Sequence, residues 1–274
     1  MRSIEVDYEL AGPADAPVLV LSGPLGSTLE IWQPLAERLA ERFRVLRYDH
    51  RGHGRSPWRA SPIPDDGPIE VRSNPYGSYT IVNMAFDVLA LLDRLSIEKV
   101  AFCGVELGGL IGMWLAAHTP ERLSSLVLSS TSSHYGDHGG HWMDRTWSVK
   151  LKGTGGIAAD VVDGWFSPEW AAAHPEAVER AIQMVTKTTE EGFAECCIAL
   201  ADWDARKLLG RILTPTLVLA TAQGAGTPAD SHAKTLATAI SGANLKVLNG
   251  AALGVIEQAD QAKFLISVHT KKSR

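Results

Sequence analysis

Along this chain, short runs of β-branched and leucine residues alternate with stretches whose apolar positions recur at helical spacing. That alternation predicts a parallel sheet with crossover helices. Strands are predicted at Val18–Leu21, Phe43–Tyr48, Val100–Cys103, Leu126–Leu128, Thr216–Leu219 and Leu245–Leu248, with a first hairpin over residues 2 to 10. Helices are predicted near residues 29–41, 80–95, 108–118, 229–240 and 256–268. Between about 135 and 210 the alternation stops in favour of a helical, tryptophan-rich stretch with no clear strand (Trp142, Trp147, Trp165, Trp170). Because core strands flank it, residues 135–210 read as a helical cap inserted into a core made of 1–134 and 211–274. A second insertion, Trp58 to Ser78, is too rich in Pro and Gly to be helical and long for a plain connection. It follows a strand and therefore emerges at the carboxyl edge of the sheet, where open α/β folds bind ligands. It is expected either to shape a pocket or to be a passive loop.

One junction carries chemical information. An apolar strand runs into Gly104-Val105-Glu106-Leu107-Gly108, and a helix follows. This is the strand–turn–helix frame of a G-x-S-x-G nucleophile elbow with Glu106 at the serine position. The glycines allow the sharp turn, and the nucleophile is missing.

Composition narrows the function classes. Apolar residues make up 45% and charged residues 21% of 274, an ordinary globular balance. The net charge of −5 argues against a nucleic-acid partner. The apolar runs are of strand length, so no membrane partner is expected, and the first residues lack the apolar core of a signal peptide, so the expected location is the cytoplasm. Three cysteines, Cys103 and the pair Cys196-Cys197, form neither a disulfide framework nor a metal spacing and read as small buried residues. No metal, nucleotide or flavin signature is present, so no cofactor is expected; the oligomeric state is not encoded legibly.

Taken together, the elbow, the cap and the strand order resemble the α/β-hydrolase fold, and within it the 3-oxoadipate enol-lactonases. The resemblance runs through Gly23-Pro24-Leu25-Gly26-Ser27 with Trp32, through Tyr48-Asp49-His50-Arg51-Gly52-His53-Gly54-Arg55-Ser56, and through Trp142-Met-Asp-Arg145, Trp165-Phe166, Gly192 to Ala201, Pro215 to Leu219 and Ile256-Glu257-Gln258. It implies a mostly parallel, eight-stranded sheet flanked by helices. It also implies a Ser-Asp-His triad, and all three of its positions are replaced: the serine by Glu106, the aspartate by Gly224, the histidine by Ala252. The segment after the strand that precedes the cap, Ser129 to His134, offers no replacement acid. His134, His138 and His141 lie where the cap leaves the core; they read as pocket residues or as a polar loop, and His spaced by glycines makes a poor metal ligand set.

The resemblance further implies an oxyanion hole formed by the backbone N–H groups of Leu25 and Leu107, and a substrate pocket reached by Pro24, His134, Trp142, Arg145 and Trp165. Such donors contribute on the order of 3 kcal/mol each to a developing oxyanion. A frame without a nucleophile suits chemistry through an enolate, with Glu106 as the base, or as a plug paired with Arg145, or with the substrate supplying its own carboxylate. A carboxylate nucleophile at Glu106 lacks the histidine that turnover requires. The expectation is a cofactor-free epimerase or isomerase acting next to a carbonyl on a small-molecule or modified-peptide substrate, similar to the triad-lacking peptide epimerases of bottromycin biosynthesis. The alternative is a binding protein with a dead pocket; residual lactonase or esterase action ranks third.

Overall fold

The computed structural model describes residues 6–59, 79–135, 140–223 and 229–272. The insertion at 58–78 falls almost wholly outside the described residues, as do His138 and Gly224.

Seven strands form one sheet: β1 (Tyr8–Ala11), β2 (Val18–Ser22), β3 (Arg44–Tyr48), β4 (Val100–Val105), β5 (Leu123–Ser129), β6 (Thr216–Thr221) and β7 (Asn244–Leu248). Their order is β1-β3-β2-β4-β5-β6-β7. β1 pairs antiparallel with β3, and every other pairing is parallel. Against the eight strands expected, the described residues form seven. β1 takes its hydrogen bonds from β3, in the register Tyr8 opposite Tyr48, and the start of the expected hairpin lies at residues 1–5, outside the described residues.

The helices α1 (Gln33–Leu39), α2 (Ile81–Arg94), α3 (Leu107–His118), α8 (Ala229–Ala239), α9 (Gly254–Glu257) and α10 (Ala259–Lys272) cover the sheet. Four more run between β5 and β6: α4 (Gly140–Val162), bent at Gly153, then α5 (Pro168–Ala173), α6 (Pro175–Lys187) and α7 (Glu190–Ala201). β4 is buried at every position, and so is α3 from Leu107 to Ala117, because helices and neighbouring strands enclose both. That explains why their sequences are continuously apolar rather than alternating. Helix α2 starts with a capping box in which Thr80 and Asn83 exchange side-chain and backbone hydrogen bonds. All three cysteines are free and buried.

Packing at the elbow is tight enough to fix its sequence. A Cβ on Gly108 would lie 2.0 Å from Ser22 O, and one on Gly104 would lie 2.2 Å from Gly108 O. Both obstacles are backbone, which cannot move aside. Gly108→Ala is therefore expected to lower the melting temperature by several degrees or to prevent soluble expression, measured by thermal unfolding.

Candidate active site

At the centre of the carboxyl edge of the sheet sits Glu106, between β4 and α3. Its backbone adopts φ 48° and ψ −108°, a conformation few residues tolerate. The turn is held from several sides. Glu106 N–H donates to Ser129 O (3.1 Å), and Glu106 O accepts from Gly109 N–H (3.0 Å), Leu110 N–H (3.2 Å) and Thr131 Oγ1 (2.8 Å). A strained turn gripped this firmly presents its side chain in one direction.

The carboxylate does not point freely into the pocket. Leu25 N–H donates to Glu106 Oε2 at 2.8 Å, and the N–H of Leu107 reaches the same carboxylate. The two backbone donors that the resemblance assigns to an oxyanion hole thus serve the protein's own side chain in the resting state. The reason is electrostatic as well as steric: both the open N–H groups and the positive end of α3 favour an anion there, and a Glu side chain is long enough to reach them. Leu25 is held in place by a buried histidine. Gly26 N–H donates to His53 Nε2 (3.1 Å), while His53 Nδ1 donates to Arg51 O (3.0 Å). Burial, then the nearby His50, pushes the His53 pKa down to about 3, so it stays neutral and keeps that tautomer.

Burial raises the Glu106 pKa above its ordinary value. The Leu25 N–H, the Arg145 charge and the Leu107 N–H oppose that shift without cancelling it. Arg145 lies within electrostatic reach of the carboxylate, yet it forms no ion pair with it among the described residues. Its guanidinium instead sits 5.9 Å from the centre of the Trp142 ring. The plug expected from a Glu106–Arg145 pair is accordingly not formed; the backbone donors hold the carboxylate instead.

Above the elbow opens a cavity of about 670 Å³. Its floor comes from the ends of β4, β5 and β6, its roof from α4 and Trp165, and one side from α8. The residues that sequence reasoning assigned to it, Pro24, Glu106, His134, Trp142, Arg145 and Trp165, all line it. So does Ala252, whose N–H donates to Gly164 O (3.3 Å), while Leu253 N–H donates to Trp165 O (2.7 Å). The segment where the resemblance expects a catalytic histidine is thereby tied to the cap with a methyl group facing the cavity. Trp147 is exposed at 60%, and Trp170 stacks between Phe166 and His174 at ring distances of 4.6 and 4.2 Å, so neither reaches the ligand space.

Three polar cavity residues were not singled out by sequence. Tyr135 lies edge-on to Trp142, and its hydroxyl is closed off from solvent; burial and then the Glu106 charge hold its pKa well above the ordinary tyrosine value. Ser132 Oγ lies 2.8 Å from His232 Nδ1. No motif marks His232, because it comes from one turn of α8 and meets Ser132 only through the fold, 100 residues away. Among the described residues no group of three or more His, Cys, Asp or Glu is arranged to hold a metal, and no helix is long and apolar enough to cross a membrane.

An elbow between strand and helix, backbone donors behind it, and a helical insertion over the carboxyl edge define a class, and residues 16–180 match its family model: the chain belongs to the alpha/beta hydrolase fold family. Within that family it is 35% identical over 271 residues to 3-oxoadipate enol-lactonase 2 of Acinetobacter baylyi, covering 99% of this chain and 95% of that one. The crystal structure of the enol-lactonase from Burkholderia xenovorans LB400 superposes with a TM-score of 0.84 at 30% identity, over 97% of this chain and 96% of that one. A thermophilic esterase from Thermogutta terrifontis shares the fold, with a TM-score of 0.84 at 24% identity over 98% and 93% of the two chains. The relatives named here are enzymes.

Proposed function

We propose that this protein is a cofactor-free enzyme in which Glu106 is the acid/base for proton transfer at a carbon next to a carbonyl, giving epimerisation or isomerisation. The observation that carries this reading is a half-buried carboxylate with a raised pKa at the elbow, where the resemblance implies a nucleophile, at the floor of a largely apolar cavity. A carboxylate with a raised pKa is a better base, and, once protonated, a usable acid. In the forward step a carboxylate oxygen takes the proton. The C–H electron pair forms the C=C bond, and the carbonyl π pair moves to oxygen, giving an enolate. Arg145 supplies the positive charge in the cavity toward which that oxygen can turn. The cavity accommodates a ligand the size of a short peptide segment, which supports a modified aspartyl peptide, among other carbonyl compounds, as substrate class.

A second reading is favoured by the relatives: hydrolysis of a lactone or ester, with Glu106 activating water. The likeness to enol-lactonases over nearly the whole chain supports it. The absence of serine at 106 and of histidine at 252 weighs against hydrolysis through a covalent acyl-enzyme.

One experiment separates these readings. A panel containing 4-oxopentanoate, Asp-containing peptides and simple lactones is incubated in deuterated water and followed by mass spectrometry. Deuteron uptake without cleavage supports the proton-transfer enzyme. Cleavage with oxygen-18 incorporation from labelled water replaces it by a hydrolase. Binding with neither reaction leaves a ligand-binding protein on a hydrolase frame.

A further inference from the structure

The side wall of the cavity formed by α8 contains a histidine that the proton transfer at Glu106 does not use. His232 projects from α8, which packs beside β6, whereas Glu106 follows β4; β5 lies between them, so the two strands are roughly 10 Å apart. Both side chains line the same cavity.

The hydrogen bonds around Ser132 fix the protonation of that histidine. A hydroxyl has one proton to give. Ser132 Oγ donates it to His134 O at 2.5 Å and accepts from His134 N–H at 3.2 Å. Toward His232 the hydroxyl is therefore an acceptor, and the 2.8 Å contact requires a proton on Nδ1. The lone pair of the neutral imidazole is then on Nε2, which has no hydrogen-bond partner among the described residues. Ser132 is itself buried and rigidly set. Ala205 N–H donates to the neighbouring Ser133 O (2.7 Å), Trp203 Nε1 donates to Ser132 O (3.3 Å), and His134 bridges to Asp204. This is the relation between a base and its orienting group found in hydrolytic triads, rebuilt from other strands at another wall.

Resting on Glu106 as one acid/base group, we propose that His232, oriented by Ser132, is the second, acting on the opposite face of the substrate carbon. Ser132 is a positioning residue. Inversion at carbon needs a proton taken from one face and returned to the other. With Glu106 protonated and His232 neutral, Nε2 takes the proton from one face while Glu106 gives its proton to the other. One C–H bond breaks and one forms, an N–H bond forms and an O–H bond breaks, and no co-reactant is consumed. The product state, carboxylate and imidazolium, returns to the starting state by proton exchange with water, or runs the reaction in reverse. Burial favours the neutral form of both groups: it raises the Glu106 pKa and, together with the His134 charge, lowers that of His232.

The two methylene hydrogens at C3 of 4-oxopentanoate, next to its ketone, test this directly in deuterated water, with NMR counting deuterons at that carbon. A site with two acid/base groups replaces both hydrogens. His232→Gln is expected to stop at one, with the second uptake slowed by about 10²-fold or more, while Glu106→Gln stops at the other. Uptake of both deuterons by His232→Gln at the wild-type rate overturns the proposal and leaves Glu106 in place as a single base. If the wild-type protein exchanges nothing at C3, the Glu106 reading falls first. His232 is then judged without substrate, by long-range proton–nitrogen NMR on histidine-labelled protein. The Nδ1–H tautomer at neutral pH, lost in Ser132→Ala, upholds a base-competent Nε2; an Nε2–H tautomer in the wild type overturns it.

Discussion

Glu106→Gln is expected to reduce turnover by about 10²–10⁴-fold on any substrate that the deuterium experiment identifies, with a much smaller effect on KM. The amide keeps the length and planarity of the side chain, and its carbonyl oxygen can still accept from Leu25 N–H, so the elbow stays folded. What it loses is the capacity to take up a proton. The same group sets the acidic limb of the pH–rate profile. Because burial raises its pKa, turnover that needs the carboxylate falls on acidification at a pH above the ordinary Glu value of 4.5. Stability moves in the opposite sense. A carboxyl whose folded pKa is raised contributes stability that is fully present below 4.5 and is lost as the pH rises through its folded value. Glu106→Gln, which cannot ionise, is therefore expected to gain stability over the wild type at neutral pH and none near pH 4, seen in melting curves at the two pH values. Equal turnover in wild type and variant would remove Glu106 from the chemistry.

Asp87→Ala is expected to cost about 3–5 kcal/mol, lowering the melting temperature by roughly 10 °C, because it strands a buried cation. Asp87, on α2, accepts from Arg51 and from Tyr79 Oη (2.9 Å). The Arg51 guanidinium also lies 5.2 Å from the centre of the Tyr79 ring. Both members of the ion pair are nearly inaccessible, at 6% and 2% side-chain exposure. Tyr79 N–H in turn donates to Glu195 Oε2 (3.2 Å) on α7, so the network ties the core to the helices inserted after β5. Replacing both ends of the pair, Arg51→Met with Asp87→Leu, is expected to recover most of the loss, since two apolar groups leave nothing unpaired. Denaturant unfolding of the two variants measures both effects.

Much of this was legible in the chain itself. The strand positions follow from runs such as Val18–Leu21 and Thr216–Leu219, where burial on both faces demands continuous apolar sequence. The elbow follows from Gly104 and Gly108, whose missing side chains make room for Ser22 O and for the turn's own backbone. That Glu106 and Ala252 stand where the resemblance implies Ser and His can be counted from local motifs, because spacing within one loop is a property of sequence. The edge of the sheet was less legible: β1 joins β3 through long-range backbone hydrogen bonds, which side-chain pattern does not specify.

Sequence by itself determined the family and the frame of the site, since these depend on local turn geometry and on residue type at fixed spacing. Only the tertiary structure decided what became of that frame. It turned the Leu25 and Leu107 N–H groups onto the Glu106 carboxylate, left Arg145 without an ion pair to it, and brought His232 to Ser132 across 100 residues. Protonation, hydrogen-bond direction and burial are set by neighbours distant in the chain, and a side chain acquires its acid or base character only where the fold encloses it.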